Sequence, residues 1–527
     1  MIRVRQVKVP LTHDELSVWK ERIANKLKIK VSDIEDIKIN KKSIDARDKQ
    51  NIFFVYEFDV ECKNASAILK RNKDKDIFET PNEKYVFEAS GTKKLDNRVV
   101  IVGSGPSGLF CAYMLAEAGY KPLIIERGER IEERVKSVEK FFETNQLNPN
   151  SNIQFGEGGA GTFSDGKLNT LTKDKFNRLK KVFEIFVQHG APSEIMYLAK
   201  PHIGTDILRE VIIRMRNHIL SMGGEFLYES LMTDIDIQDG KVKGIVVNKK
   251  DYIPCNVLVL AIGHSARETF YLLKKKNFLM HAKNFAVGVR IEHPQEMISR
   301  SQYGEQYHLL PPASYKLTYQ TSKGRGVYSF CMCPGGFVVN ASSEEGYLAV
   351  NGMSNYKRDE VNANSALVVT VGKEDFGNDP LAGIEFQRNL ERKAYELGHG
   401  FIPIQLYGDY VSGRKSTKLL RVQPNVKGRY TLTDLNELFP DTINEALKEA
   451  IPNFEKKIKG YSREDAILLG VESRTSSPVV IVRDEEGVSN ILGVYPCGEG
   501  AGYAGGITTA AIDGVKVAEH IAKVYAK

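Results

Sequence analysis

Apolar runs that end in glycine-rich turns recur along this chain of 527 residues. Arg98–Val102 precedes three closely spaced glycines, and Val257–Ile262 precedes Gly263. An apolar run of this length, bounded by turn residues, predicts a buried parallel strand. A third glycine-rich turn, Cys497–Gly506, lies about 390 residues after the first. The pattern therefore predicts a parallel α/β sheet that the chain leaves and later re-enters.

The first turn has the spacing of a dinucleotide-binding motif. Gly103 permits a tight turn, Gly105 lets the backbone approach a pyrophosphate, and Gly108 allows a helix to pack closely on the strand. The helix that we predict from Pro106 to Ala118 would point its N-terminal N–H groups at the phosphates. About 20 residues further on, the next apolar run ends at Glu126, whose carboxylate can bind a ribose hydroxyl. The sequence therefore predicts a nucleotide site.

Later segments indicate which nucleotide it is. Glu126 disfavours the 2′-phosphate of NADP, which leaves NAD and FAD. Ala261–Gly263 resembles the segment where flavoproteins pass beside the dinucleotide again, and Cys497–Glu499 resembles a strand end whose acid binds the ribityl chain. Gly505 and Gly506 would open a helix whose N-terminus faces the flavin and stabilises its anionic reduced form. We expect non-covalent FAD, because the signature of a histidyl-linked flavin is not evident.

Residues 152–168 form a further glycine-rich stretch that supports the same site. Its five glycines, with Ser, Thr and Asp between them, cannot pack a core, and they expose backbone N–H groups that suit phosphate, ribityl or flavin N5 contacts. A flexible surface loop is the alternative. The candidate cofactor-binding residues are Gly103, Gly105, Pro106, Ser107, Gly108, Glu126, Arg127, Gly158, Gly159, Ala160, Gly161, Thr162, Asp165, Gly166, Lys167, Ala261, Gly263, Gly498, Glu499, Gly505, Gly506 and Ile507.

Changes of pattern divide the chain into four predicted segments. Residues 1–96 form a small N-terminal α/β domain that ends in the polar linker Ser90–Asn97. Residues 97–282 are the first part of an FAD-binding domain, 283–460 an inserted substrate or cap domain, and 461–527 the second part of the FAD-binding domain. The predicted fold class is α/β, with a Rossmann-type FAD/NAD(P)-binding domain, an inserted α+β domain and the small N-terminal domain.

Six longer motifs resemble those of a known family. They are Gly156–Lys167, Pro201–Asp206, Ala261–Ala266, Phe330–Gly336, Glu472–Pro478 and Gly498–Gly506. The chain resembles the bacterial FAD-dependent proteins labelled NAD(FAD)-utilising dehydrogenases, over residues 97–527 and in its N-terminal domain as well. Its layout is more distantly similar to fumarate reductase flavoproteins and geranylgeranyl reductases. The resemblance implies the fold and FAD, and it does not imply a substrate.

Four side chains are candidates for chemistry beside the flavin. His202, His264 and Lys167 lie in segments expected near it. A histidine there could relay protons, and a histidine that only bonds the backbone is the alternative. Arg474 could clamp a carboxylate or phosphate. The alternative for Arg474 is a structural ion pair with Glu472 or another carboxylate.

The pair Cys331 and Cys333 leaves two interpretations open. Its C-x-C spacing is a strained one for a disulfide, and it lacks the partners of a zinc site, so we expect no metal. The pair is therefore either a redox pair or two buried, inert thiols.

Composition limits the partners and the compartment. The net charge is +7, from 74 basic and 67 acidic residues, which is too mild to favour nucleic acid. No apolar stretch reaches 18 residues and the N-terminus lacks a signal core, so we expect no membrane partner. Six scattered cysteines fit a cytoplasmic protein. The sequence does not predict an oligomeric state.

These predictions describe a cytoplasmic FAD-dependent dehydrogenase or reductase. It would pass a hydride or an electron pair through flavin N5 to or from an unidentified small molecule, and Arg474 suggests an anion. Outside the glycine-rich segments assigned to FAD, no second G-x-G-x-x-G follows the first, so any NAD(P)H would dock transiently. Two alternatives stay open: a flavin-dependent RNA-modification protein that grips RNA through the basic patch Lys41–Lys49, and a flavin-binding scaffold without turnover.

Overall fold

The computed structural model describes residues 1–170 and 174–527. Its strands are β1 (Ile2–Pro10), β2 (Ile34–Asp45), β3 (Phe53–Cys62), β4 (Ile77–Glu79), β5 (Val100–Val102), β6 (Leu123–Ile125), β7 (Glu225–Leu227), β8 (Met232–Gln238), β9 (Lys241–Val247), β10 (Asp251–Pro254), β11 (Leu258–Leu260), β12 (Met280–Ala282), β13 (Phe285–Pro294), β14 (Thr318–Gln320), β15 (Gly326–Cys333), β16 (Phe337–Asn340), β17 (Val350–Met353), β18 (Asn362–Val371), β19 (Ile402–Leu406), β20 (Val426–Lys427), β21 (Tyr430–Leu432), β22 (Ile467–Glu472), β23 (Val479–Ile481) and β24 (Val494–Pro496). Its α-helices are α1 (Leu16–Leu27), α2 (Ala65–Arg71), α3 (Pro106–Glu117), α4 (Ile131–Thr144), α5 (Arg178–Gln188), α6 (Thr205–Ser221), α7 (Arg267–Lys275), α8 (Gln295–Tyr303), α9 (Lys373–Phe376), α10 (Ala382–Leu397), α11 (Tyr407–Val411), α12 (Asp441–Glu455) and α13 (Ile507–Val524).

A five-stranded sheet of order β24-β11-β5-β6-β7 forms the Rossmann-type core. All of its pairings are parallel, and β5 lies between β11 and β6. Every residue of β5, β6 and β11 is buried, as the apolar runs predict. The strand β24 joins from the far end of the chain, so the prediction that the chain leaves this sheet and re-enters it is confirmed.

The intervening region builds a second, larger sheet. Its seven strands have the order β14-β15-β18-β13-β22-β19-β21, and all of them pair antiparallel except β19 with β21. The strand β22 lies after the predicted boundary at residue 460, yet it pairs with β13 and β19 inside this sheet. Its residues are all buried, so its apolar run gives no sign of which sheet it joins. The boundary at 460 is therefore wrong, and the chain leaves the inserted region only after Glu472.

The N-terminal region is a four-stranded sheet of order β2-β3-β1-β4 that packs on α1 and α2. The basic patch Lys41–Lys49 begins within β2. Lys42 pairs with Asp14 and lies over the ring of Phe54, with its Nζ 4.0 Å from the ring centre. Half of the patch is therefore part of a strand, because the β-hairpin with β3 extends its pairing to Asp45.

The linker Ser90–Asn97 lies against the C-terminal helix and is hydrogen-bonded to it. Gly91 and Lys93 donate backbone hydrogen bonds to the carbonyl groups of Ala522 and Val524, at 2.9 and 3.0 Å. At the opposite side of the domain, Lys42 donates its N–H to the carbonyl of Tyr197 at 2.7 Å. Hydrogen bonds at both of these places thus join the N-terminal domain to the rest of the chain.

Candidate functional site: a cavity between two sheets

A cavity of about 540 Å³ opens between the Rossmann-type sheet and the seven-stranded sheet. One end is lined by the glycine-rich turns after β5 and β24, and the other by residues of β15 and by the segments around Ser314 and Arg358. This volume lies within the range of cofactor and ligand pockets. We call the first the nucleotide end and the second the substrate end.

The turn after β5 is shaped for a phosphate group. Gly103 has φ of +103°, and a Cβ there would lie 2.2 Å from the carbonyl oxygen of Ala261. A Cβ on Gly108 would lie 1.9 Å from the carbonyl oxygen of Gly103. A Cβ on Gly105 would have Gly159 Cα as its nearest neighbour, at 3.8 Å, so the space beside it is open to a ligand. No side chain caps α3 at Gly105, which leaves the N-terminal N–H groups of this helix for an anion.

Glu126 holds this turn together. Its carboxylate accepts from the N–H and the hydroxyl of Ser104, at 3.0 and 2.7 Å, and from the N–H groups of Gly128 and Gly156, both at 3.0 Å. A carboxylate offers about four acceptor sites, and all four are used by the protein. That Glu126 binds a ribose hydroxyl stays a prediction. The geometry gives it a second task, which is to join the phosphate turn to the glycine-rich stretch.

A buried arginine that we did not single out fixes the glycine-rich stretch. The Arg134 guanidinium, fully buried, donates to the carbonyl oxygens of Asn152, Ile153, Gly156, Glu157 and Gly159, at 2.6–3.1 Å. A loop held by five carbonyl bonds to one cation is a rigid element, and the flexible-loop alternative does not apply. The role of Arg134 could not be predicted from the sequence, because this residue lies on an amphipathic helix among charged neighbours.

The closing segment completes the nucleotide end. Asp513 accepts the N–H of Gly498 at 2.7 Å, and this carboxylate is itself paired with Arg483. Gly505 and Gly506 line the cavity at the uncapped N-terminus of α13, and α13 packs against α3. Burial raises the pKa of Glu499, a further lining residue, to about 7.

Most of the predicted cofactor-binding residues line this one cavity. Those that do are Gly103, Gly105, Pro106, Ser107, Glu126, Arg127, Gly159, Ala160, Gly161, Asp165, Gly166, Lys167, Ala261, Gly263, Glu499, Gly505, Gly506 and Ile507. Gly108, Gly158, Thr162 and Gly498 lie behind the lining. An open phosphate turn, two uncapped helix N-termini and a buried carboxyl group fit an elongated dinucleotide such as FAD.

Arg474 lines the cavity, but its nitrogens are occupied. Its Nε and Nη2 donate to both oxygens of Glu391, at 2.9 and 2.8 Å, and its Nη1 donates to Ser265 and Ser343. Arg267 donates to the same carboxylate. Burial alone would raise the pKa of Glu391, but the two guanidinium groups outweigh it and hold that pKa well below its usual range. The geometry thus favours the structural ion pair, with Glu391 as the partner, while Glu472 pairs with Arg290.

The two candidate histidines are in different places. His264 lines the cavity, and its Nδ1 lies 2.8 Å from the hydroxyl oxygen of Ser265. Burial and the nearby Arg474 lower its pKa to about 3, so its ring is neutral near pH 7. His202 lies outside the lining, where its Nε2 is 2.9 Å from the carbonyl oxygen of Tyr356. The structure therefore brings His264, and not His202, to the cavity.

Lys167 lines the substrate end, where its ammonium group is paired with Asp165. Its Nζ lies 2.9 Å from Asp165 Oδ2, and Arg358 binds the same carboxylate. Burial would lower the pKa of Lys167, but Asp165 outweighs it and raises that pKa. Arg358 was absent from our predictions, because it lies about 190 residues from Asp165 in an unremarkable polar stretch.

The two cysteines of the C-x-C motif differ in their surroundings. Both are free thiols, and Cys333 is buried while Cys331 opens onto the cavity. The Cys331 thiol lies between the walls of the cavity, away from bulk solvent, and this desolvation raises its pKa to about 11. Of the two interpretations, that of two buried thiols does not hold for Cys331, whose side chain is exposed to the cavity, and a redox role stays a prediction.

Comparisons with known proteins agree with this architecture. Residues 284–475 match the FAD-dependent protein, C-terminal domain-like family, and residues 101–150 match an NAD(P)-binding Rossmann-like domain. Residues 1–61 match a domain of unknown function. An uncharacterized protein of Clostridium beijerinckii is 51% identical over 532 residues, which is 99% of each chain. The chain belongs to the family of that protein.

More remote matches are either short or low in sequence identity. An L-amino acid oxidase of Cerastes cerastes is 34% identical over 91 residues, which is 16% of this chain and 18% of that protein. Among solved structures, the Escherichia coli quinol fumarate reductase subunit FrdA covers 82% of this chain and 70% of its own, at 11% identity and a TM-score of 0.38. A glycine oxidase from Bacillus cereus covers 81% of this chain and 95% of its own, at 14% identity and a TM-score of 0.34.

The chain is thus a flavoprotein that carries an FAD-dependent protein, C-terminal domain-like region and a Rossmann-type α/β fold. Within the described residues, no helix is long and apolar enough to cross a bilayer.

Proposed function

We propose that this protein is an FAD-dependent dehydrogenase or reductase whose substrate binds at the substrate end of the cavity. The observation that carries the proposal is that one cavity is continuous from the phosphate turn at Gly105 to the side chains of β15. A ligand at the substrate end would therefore share its space with a dinucleotide at the nucleotide end. A small molecule is the natural partner for a site of this size.

Different residues of the chain would contribute to FAD binding in different ways. Gly105 and Gly159 leave room for a pyrophosphate, Glu126 and Arg134 keep the two loops in place, and the N-terminus of α13 stabilises negative charge. Bound FAD supplies the hydride or electron-pair transfer. An NAD(P)H electron donor would dock transiently, since every G-x-G-x-x-G of the sequence lies in a glycine-rich segment that we assign to FAD.

The side chains at the cavity that could transfer a proton differ from those that we predicted. His264 is neutral near pH 7 and could donate or accept a hydrogen bond without gaining charge. Glu499, with a pKa of about 7, is a lining group that titrates in the physiological range. A carboxyl group so poised suits proton transfer to or from a neighbouring ligand atom. We therefore propose Glu499 as a further candidate for proton transfer, besides its predicted contact with the ribityl chain.

The first experiment identifies the cofactor and tests turnover. The purified protein should be yellow, and acid or heat should release one FAD per chain, identified by chromatography. Photoreduction followed by a screen of electron acceptors, and oxidation of reduced nicotinamides, should then show re-oxidation or reduction of the flavin. Recovery of FMN or of no flavin would contradict the cofactor. A stable flavin that no donor or acceptor oxidises or reduces would leave the scaffold alternative in place of an enzyme.

A further inference from the structure

The substrate end of the cavity carries more cations than anions. Lys167, Lys200, Lys316 and Arg358 line it, and we call these four residues the cationic cluster. Among the described residues, Asp165 is the carboxylate that pairs with Lys167 and with Arg358. One buried carboxylate thus faces two cations, and the other two bring further positive charge to the same wall. The second lining carboxylate at this end, Glu472, is already paired with Arg290.

Arg358 acts electrostatically on both Lys167 and Lys200, which shows that these three cations are close to one another. Burial, and next to it the charge of Arg358, lowers the pKa of Lys200. Burial and Arg358 also lower the pKa of His202, just behind the wall. Asp165 keeps its own pKa well below the usual range in spite of burial, because Lys167 and Arg358 both stabilise its charge. Its negative charge is therefore fully present, and the cluster still has a positive excess.

The hydrogen-bonding capacity of the cluster is not used up. Arg358 binds Asp165 through Nε and Nη2, and within the described residues no group accepts from its Nη1. Lys167 Nζ is buried and makes an ion pair with Asp165 without hydrogen-bond geometry. Lys200 Nζ has one long bond, 3.3 Å, to the Ser314 hydroxyl. The buried Lys167 Nζ is costly unless a ligand satisfies it, whereas Arg358 Nη1 and the exposed Lys200 Nζ are open to a ligand.

We propose that the cationic cluster binds the carboxylate of an organic-acid substrate, with Arg358 and Lys200 as its direct partners. An organic acid fits better than a bare oxyanion, because Phe330 and Met332 line the wall beside the cluster and would pack on an apolar body. The inference rests on the proposed function, since it names the substrate class of that reaction. It also moves the role of anion binding from Arg474, whose nitrogens are taken by Glu391, to residues with free donors.

Anion binding to the FAD-loaded protein tests the proposal. The probes are benzoate, succinate and inorganic phosphate, with benzamide and succinamide as neutral controls, each at constant ionic strength. Calorimetry measures the affinity, and the flavin difference spectrum reports whether the probe lies beside the ring. We expect at least one carboxylate to bind tenfold or more tightly than its amide. Equal binding of acid and amide overturns the proposal, and tighter binding of phosphate than of both acids overturns the choice of a carboxylate.

Four variants locate the binding. Arg358→Gln should weaken carboxylate binding at least tenfold and Lys200→Gln several-fold, because each removes a charge-assisted bond. Asp165→Asn should strengthen it, because the competing internal anion is gone, and a purely structural cluster would not show this gain. Lys357→Gln, an exposed neighbour outside the cavity, is the matched control and should bind within twofold of the wild type. Wild-type affinity in both Arg358→Gln and Lys200→Gln overturns the assignment.

The two proposals fail in different ways. Flavin content is measured for every variant, so a chain that lacks FAD contradicts the proposed function whatever it does with anions. A chain that holds FAD and turns over, but shows no preference for carboxylates, contradicts only the inference about the cationic cluster.

Discussion

The two ends of the cavity are built by different means. At the nucleotide end, the groups that would meet a ligand are backbone atoms of glycines, and the charged side chains Glu126 and Arg134 are fully engaged in holding those loops. At the substrate end, the groups are cationic side chains with unused donors. A backbone cradle needs glycines at fixed spacings and leaves a motif in the sequence. A cluster of side chains drawn from distant segments leaves none.

The largest expected effect separates the two roles of glycine at the nucleotide end. Gly105→Val should fold and lose FAD almost completely, below a tenth of a flavin per chain, because its side chain enters the open space beside the phosphate turn. Gly108→Val should instead fail to fold, since its Cβ would meet the Gly103 carbonyl at 1.9 Å. Flavin content and circular dichroism measure both. Wild-type flavin content in Gly105→Val would contradict the assigned site.

The second prediction asks whether Arg474 belongs to the substrate end or to the framework. Arg474→Lys should lose about 3 kcal/mol of unfolding free energy, because it breaks a buried two-point pair with Glu391. Denaturant unfolding measures the loss, and Arg392→Lys, an exposed residue next to Glu391, is the control. Carboxylate binding and flavin content should remain as in the wild type. A large loss of turnover at unchanged stability would return Arg474 to the chemistry.

The third prediction concerns Glu499 and pH. Its pKa in the folded chain, about 7, exceeds the ordinary value of 4.5, so the folded state retains a proton that the unfolded state releases. Stability from this group is therefore full below about pH 4.5 and is lost as pH rises through 7. In the apoprotein the loss should be about 2 kcal/mol between pH 5 and pH 8, after a discount for solvent screening.

Matched variants isolate that contribution from other titrating groups. Denaturation midpoints at pH 5 and pH 8 are compared for the wild type, Glu499→Gln and the exposed Glu485→Gln. The pH dependence should shrink in Glu499→Gln and persist in Glu485→Gln. Identical slopes in all three proteins would show that Glu499 is ionised in the folded chain at neutral pH.

The smallest expected effect tests whether the N-terminal domain supports the substrate end. Lys42→Pro removes the N–H that donates to Tyr197, just ahead of Lys200, and should cost about 1 kcal/mol. Proline is tolerated here because β2 is an edge strand. Lys42→Ala loses the same side chain and keeps the N–H. Carboxylate binding should be weaker in the proline variant than in the alanine variant, at equal flavin content, and no difference would mean that this contact does not position Lys200.

The sequence predicted the fold well, and it singled out glycine-rich turns that the fold brings to one cavity, because both depend on local patterns. Buried strands are continuous apolar runs, and the turns around Gly103 and Gly505 occupy the places that the spacing assigns. The boundary at 460 failed because β22 is as apolar as a Rossmann strand, and only pairing distinguishes them. Glu391 and Arg358 were missed for another reason. Each meets its partner across more than 80 residues, and no local signal marks one charged residue among many.

The position of α13 near the end of the chain affects when the cavity is completed during synthesis. The phosphate turn at Gly103 leaves the ribosome about 400 residues before the glycines at 505 and 506, which complete the same cavity. At synthesis rates of about 5–20 residues per second, this interval lasts about 20–80 s. During that interval α3 lacks the helix that packs on it, and the nascent chain exposes an apolar face. Cofactor capture is therefore an event of completed chains, and a chain truncated before Gly505 would present a half-built site to chaperones and proteases rather than to FAD.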